Sequence, residues 1–196
     1  MTGPEPLTGE PLALDLLNTL PYAAEGDPPD HLADAEGLLR WLALEAGRLP
    51  GAAGAREADA ADAAAVRAVR THAARALTAA RRGERPDPAD LRALNEAQRA
   101  APAVRFAEWS DGTVTAEPCR SGPLGARVAA ALAEEVVLLL AGPALAKVRE
   151  CEADDCTMLF LPAHPRRRWC SAARCGNRAR VARYYARHKD DGPARS

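Results

Sequence analysis

Residues 12–20 read LALDLLNTL, an apolar run in which Leu12, Leu16 and Leu20 recur at the interval of one helix face. The spacing predicts a short helix carrying two polar residues, Asp15 and Asn18, three positions apart on one side. EGDPPD follows, where Pro28 and Pro29 block both helix and central strand. Helical spacing resumes over residues 34–46, with Asp34 as N-cap and Gly47 as stop. Residues 57–82 predict one long helix with Val66, Val69, Ala73 and Leu77 as its apolar stripe, ended by Gly83 and Pro86. Asp87 then caps a helix that has Pro88 at its first position and runs to about Ala100. The period changes in AVRFAEWSDGTVTAE, residues 103–117, where Val104, Phe106 and Val114 flank Asp111-Gly112 as in a β-hairpin. A long apolar helix from about Gly125 to Ala141 closes at Gly142-Pro143. Trp41 and Trp109 are expected in the core.

The fold class that follows is α+β, mainly α. A helical body with a hairpin occupies residues 1–143, a small module residues 144–190, and a disordered tail residues 191–196. The most apolar stretch contains Glu134 and Glu135 and is too short for a membrane span, and no signal peptide is apparent. A soluble, cytoplasmic protein is expected. Its arginine and alanine excess, with Lys147 and Lys189 the only lysines, fits a GC-rich bacterial genome.

Charge separates the two parts. Residues 1–156 hold 16 basic and 25 acidic residues, a formal charge of −9. From Thr157 to Lys189 there are 9 basic residues and no acidic ones. A basic module on an acidic body requires either an anionic partner or docking onto the body itself.

The module also holds Cys151, Cys156, Cys170 and Cys175, as two C-x4-C pairs separated by thirteen residues. Two thiolate pairs on tight turns provide the four corners of a tetrahedral structural zinc site, with no open position for catalysis. Buried thiol pairs or disulfides are the alternative, disfavoured in a reducing compartment and in a module too small to bury a core unaided. His164 lies between the pairs and could replace a cysteine, although its arginine-rich loop suits a solvated or phosphate-contacting residue better. Cys119 stands apart as a small buried or partly exposed thiol. Ser171 is placed to cap a helix whose first turn carries Cys175, and Met158–Leu161 to cross the site as a strand or short hairpin, a treble-clef-like arrangement.

Arg168-Trp169-Cys170 and Cys175-Gly176-Asn177-Arg178, with Cys151 and Cys156 before them, resemble the CGNR zinc finger family. LALDLLNTL and the Leu38, Leu39, Trp41 helix resemble the ABATE domain found upstream of that finger. Where members commonly carry Asp and Ser after the Phe, this chain has Leu161-Pro162-Ala163-His164. The resemblance implies a bacterial, stress-related transcription regulator whose finger binds DNA.

At 100° per residue Arg180, Arg183 and Arg187 fall within about 60° of one another, a basic stripe. Val181, Tyr184 and Tyr185 are assigned to packing against the hairpin or body. Arg174 and Arg178 sit where they could offset the thiolate charge and bond the sulfurs. Arg166, Arg167 and Arg168 either dock on the acidic body or contact phosphate. Gly176 and Asn177 are read as structural rather than base-reading. Asp15 and Asn18 either cap or bridge to another helix, or line a pocket that senses a small molecule. No phosphate loop, catalytic triad or His/carboxylate metal cluster is present, so no enzymatic activity is expected. The leading expectation is a DNA-binding regulator with structural zinc, with RNA and homo-oligomers possible partners. The alternatives are a protein-interaction module or a thiol redox switch.

Overall fold

The computed structural model describes residues 6–20, 30–49, 52, 55–154 and 156–189. Most of the EGDPPD loop and the C-terminal tail, expected to be disordered, lie outside the described residues. Among the described residues, six α-helices and two short antiparallel ribbons follow the predicted order.

Helix α1 (Leu12–Leu17) stops three residues before the apolar run does. Asn18 turns its side chain away and the Thr19 hydroxyl donates to the Leu16 carbonyl at 2.6 Å. Leu20 therefore leaves the predicted face and is exposed. Helix α2 (Ala35–Leu44) begins where Asp34 accepts a hydrogen bond from the Gly37 amide. Helix α3 (Ala60–Arg81) opens with a reciprocal capping box between Asp59 and Asp62. Helix α4 (Pro88–Ala100) starts from the Asp87 cap with proline in its first turn.

Helix α5 (Leu124–Ala141) is the centre of the body. Its run of buried residues from Val128 to Ala133 is mostly alanine, which lets α3 and α4 pack closely against it. The predicted stripe of α3 points into this core, as do Leu14, Leu38, Trp41, Leu94 and Leu132. Each fully buried leucine contributes roughly 1.5–3 kcal/mol relative to exposure, so this cluster carries most of the stability.

Strands β1 (Val104–Ser110) and β2 (Thr113–Cys119) pair in the predicted register around Asp111-Gly112. Both turn residues have positive φ, 52° and 80°, as a two-residue hairpin turn matching strand twist requires. The ribbon packs on no other described element, and all fourteen of its strand residues are exposed. Trp109 corrects the core assignment, because it is 74% exposed beside its cross-strand partner Val114. Its apolar character follows strand alternation, but nothing in the body covers that face. Cys119 is likewise exposed.

After a turn of 3-10 helix (Leu145–Lys147), β3 (Arg149–Glu150) pairs with β4 (Leu159–Phe160). A π-helical turn (Ala172–Gly176) leads into α6 (Asn177–Lys189). Strand alternation in β4 divides its two residues between two cores. Leu159 joins the body core, and Phe160 joins a small cluster with Cys151, Met158, Cys170 and Cys175. Helix α6 packs only against the preceding π turn among the described elements. Val181, Tyr184 and Tyr185 are therefore exposed, contrary to the expected packing on hairpin or body. Tyr184 stacks on His188 of its own helix, ring centroids 4.1 Å apart.

Candidate metal centre and its surroundings

The four cysteines converge from three short pieces of backbone. Strand β3 delivers Cys151, whose amide donates to the Met158 carbonyl at 2.9 Å. The turn beyond it brings Cys156 back, with its amide on the Ala153 carbonyl at 3.2 Å. Ser171 caps the π turn by accepting from the Arg174 amide at 3.2 Å, and that turn points Cys175 at Cys170. All four Sγ atoms lie within 4.8 Å of one another. The Cys156–Cys170, Cys170–Cys175 and Cys175–Cys156 separations are 3.8, 3.5 and 3.6 Å. A tetrahedral zinc with Zn–S bonds of about 2.3 Å requires sulfurs about 3.8 Å apart, so the donor set fits the ion.

The thiols confirm how strongly the sulfurs interact. A hydrogen bond from Cys170 holds the Cys156 thiol down to about 5. The same bond, with burial, pushes Cys170 far up, and burial pushes Cys175 up to about 11. A divalent cation is what would let four thiolates share so small a volume.

The protein contributes further donors. The Cys170 amide lies 3.3 Å from Cys151 Sγ. Arg178 Nη2 lies 3.8 Å from Cys175 Sγ and donates to the Asp154 carbonyl at 2.8 Å, tying α6 to the first cysteine turn. His164 is not part of the cluster; it is exposed, and its Nδ1 accepts from the Arg166 amide. Arg174 is exposed and near enough to His31 to help burial lower that imidazole's pKa.

The three loop arginines separate. Arg167 turns inward, with Nη2 2.6 Å from Glu10 Oε1 and from the Cys170 carbonyl, and its guanidinium 4.5 Å above Phe160. Phosphate contact is therefore closed to it in this arrangement, because Glu10 of the body holds its charge. Arg168 pairs with Glu152 at 2.5 Å, and Arg166 is exposed. On α6, Arg180, Arg183 and Arg187 are all exposed. Each holds itself to its own helix, Arg180 through Asn177 Oδ1 and the other two through carbonyls four residues back.

Asp15 and Asn18 serve different partners. Asn18 donates from Nδ2 to the Leu159 carbonyl at 2.9 Å and accepts from the Leu159 amide at 3.0 Å, acting as a neighbouring strand would. It also lines a cleft of about 380 Å³ between body and finger, of which Asp15 is not a part. Asp15 is buried; its carboxylate accepts from the Gly9 and Glu10 amides and from Arg48. Thr19 of the same run accepts from Arg70, which is locked to Asp30.

Sequence reasoning missed three groups. Glu10 accepts from the Leu161 amide at 2.8 Å as well as from Arg167, so the N-terminal segment latches the finger. Glu45 is fully buried beside Asp15 and Arg48, and burial together with the Asp15 charge pushes its carboxyl up to about 7. Neither residue belongs to an apolar period, so no spacing marks it. The third is Trp169, whose half-buried ring floors a cleft of about 490 Å³ between the first cysteine turn and α6.

Among the described residues no helix is long and apolar enough to cross a membrane. No curated protein matches the chain. The CGNR zinc finger model matches residues 147–188, which include all four cysteines. The ABATE model, described as "Putative stress-induced transcription regulator", matches residues 10–143, more than half the chain. Neither description is that of an enzyme family. The protein thus belongs to the ABATE family and carries a C-terminal CGNR zinc finger.

Proposed function

We propose that the protein is a zinc-dependent transcription regulator whose finger binds DNA. Cys151, Cys156, Cys170 and Cys175 hold a structural zinc, and Arg178 offsets part of the thiolate charge. The observation that carries this reading is the exposed arginine face of α6, Arg180, Arg183 and Arg187, with Arg166 beside the finger. Such a stripe neutralises successive phosphates. The body's family description as a regulator supports the same reading.

The zinc-loaded full-length protein should bind duplex DNA with log K falling by about 0.9 per log unit of salt for each phosphate contacted. Arg180→Glu with Arg187→Glu should lower duplex affinity by tenfold or more at unchanged zinc content. Unchanged affinity in that double variant would overturn the reading.

The cytoplasm is the compartment in which such a site stays reduced and loaded. The exposed hairpin supplies a surface for self-association, because an uncovered two-stranded ribbon is only marginally stable alone. Docking of Arg167 on Glu10 favours a second reading of part of the finger, as an interaction surface for its own body.

A further inference from the structure

The Trp169 cleft lies between the first cysteine turn and α6; the indole packs on the sulfur-lined cluster, but neither zinc retention nor the α6 stripe accounts for Arg168, Glu152 and Asp154 around it. One side of the indole rests against Gly176, where an added Cβ would come within 3.4 Å of the ring. The walls are charged. Arg168 and Arg183 place their guanidinium carbons 5.6 and 5.7 Å from the ring centroid, on exposed side chains. Arg178 forms a third wall, and Glu152 and Asp154 line the cleft from the first cysteine turn. Arg168 is paired with Glu152, whereas Asp154 is exposed and has no side-chain partner among the described residues.

This mixture narrows the ligand. A bare phosphate site gains nothing from an aromatic floor and is opposed by two carboxylates. A basic peptide would suit the carboxylates but not three arginines. A nucleobase satisfies all of them: its flat face stacks on indole, and its ring acceptors take hydrogen bonds from guanidinium. Its ring donors give hydrogen bonds to carboxylate, and the phosphate of its nucleotide meets the remaining arginine. Guanine fits best, since its O6 and N7 form the fork that arginine recognises and its N1–H and N2–H, beside O6, are two donors that one carboxylate can accept together. The volume is within the range of small-ligand sites.

We infer that the Trp169 cleft binds an unpaired guanine base of single-stranded or locally opened nucleic acid. This rests on the nucleic-acid reading of the finger but uses a different surface from the α6 stripe. Arg183 belongs to both, so the stripe and the cleft are tested by substitutions elsewhere.

The probes are guanosine 5′-monophosphate, guanine-containing single strands of DNA and of RNA, an oligothymidine and the matching duplex. All are titrated against zinc-loaded full-length protein in a Trp109→Phe background, so that Trp169 is the only accessible indole reporter beside buried Trp41. Guanosine monophosphate should quench the fluorescence saturably, and guanine-containing strands should bind about tenfold or more tighter than oligothymidine. Trp169→Ala should lower single-strand affinity about tenfold or more, Trp169→Phe should retain most of it, and Asp154→Asn should reduce the preference for guanine. If Trp169→Ala loses zinc, Trp169→Phe and Asp154→Asn carry the decision through base preference alone. The DNA and RNA strands distinguish which polymer supplies the base. Duplex binding that depends on Arg180 and Arg187, with no effect of Trp169→Ala or Asp154→Asn on any single strand, would overturn the cleft assignment and leave the regulator reading intact. Guanine binding at Trp169 without duplex binding would uphold the cleft and overturn the duplex reading.

Discussion

Asn18 shows how one side chain joins the two parts of the chain. Its amide makes both hydrogen bonds that a β-strand would make to Leu159, and both residues are buried. Asn18→Ala leaves a buried amide and a buried carbonyl without partners, so stability should fall by about 1–3 kcal/mol. Hydrogen exchange at the Leu159 amide should accelerate, while exchange in α3 changes less. Equal protection in variant and parent would show that α1 does not hold the finger. Glu45 makes a second prediction, on pH. Its carboxyl is raised from the ordinary 4.5 to about 7 by burial and by Asp15, which is itself raised by burial. The folded state then keeps a proton that the unfolded chain has lost, so this contribution is full below pH 4.5 and is lost as pH rises towards 7. Urea midpoints should therefore fall between pH 5 and 8, and Glu45→Gln should flatten that decline. A midpoint independent of pH in the parent would contradict it. Glu45 was not legible beforehand, and the polar role of Asp15 and Asn18 was legible only in kind: a bridge to another helix was expected, but their partners lie at Gly9, Glu10, Arg48 and Leu159 of β4.

Among the elements, local signals carried as far as each element's own geometry and no further. The caps at Asp34 and Asp87 and the stripe of α3 are legible because backbone donors and one apolar face determine them. The hairpin was legible from Asp111-Gly112, yet the position of Trp109 was not. Alternation reports which residues share a face, not whether another element covers it. The same limit explains Tyr184 and Tyr185 on α6. Because nothing covers the ribbon, Trp109→Lys should change unfolding free energy by no more than about 0.5 kcal/mol, as at an ordinary surface site. In sedimentation velocity the parent should show concentration-dependent association that the variant lacks; identical profiles would remove the ribbon as an interface. The finger is legible for a different reason, since four thiols in two matched pairs have few arrangements that satisfy one ion. Its small sulfur-lined core implies that chelation should release β3, β4 and α6 while α3, α4 and α5 stay folded. Far-UV circular dichroism should then fall only in part, and trypsin should begin to cut at Arg166–Arg168. Full resistance after complete zinc removal would show that the finger stands without metal.

Across the whole molecule the charge asymmetry is met partly from within. The body has a formal charge of −9 over residues 1–156, and the nine cations beyond it face two possible neutralising partners. The fold assigns them unequally: Glu10 takes Arg167, Glu152 takes Arg168, and the α6 arginines remain outside. Glu10 is itself positioned by the Asp15 carboxylate through its own amide, and it also holds the Leu161 amide. The N-terminal segment, α1 and the finger are thus one connected hydrogen-bonded unit, and loosening the Glu10 latch should alter how much positive charge the finger presents. Glu10→Gln keeps an acceptor for the Leu161 amide but removes the charge facing Arg167. The variant should bind duplex DNA several-fold more tightly at low salt, with the slope of log K against log salt steeper by about 0.9, one added phosphate contact. Glu152→Gln offers the comparison, because Arg168 already lies at the surface and that pair is worth little in water. An unchanged slope in Glu10→Gln with zinc content intact would mean that Arg167 stays on Phe160 and the Cys170 carbonyl, and that its place is in the finger's own packing.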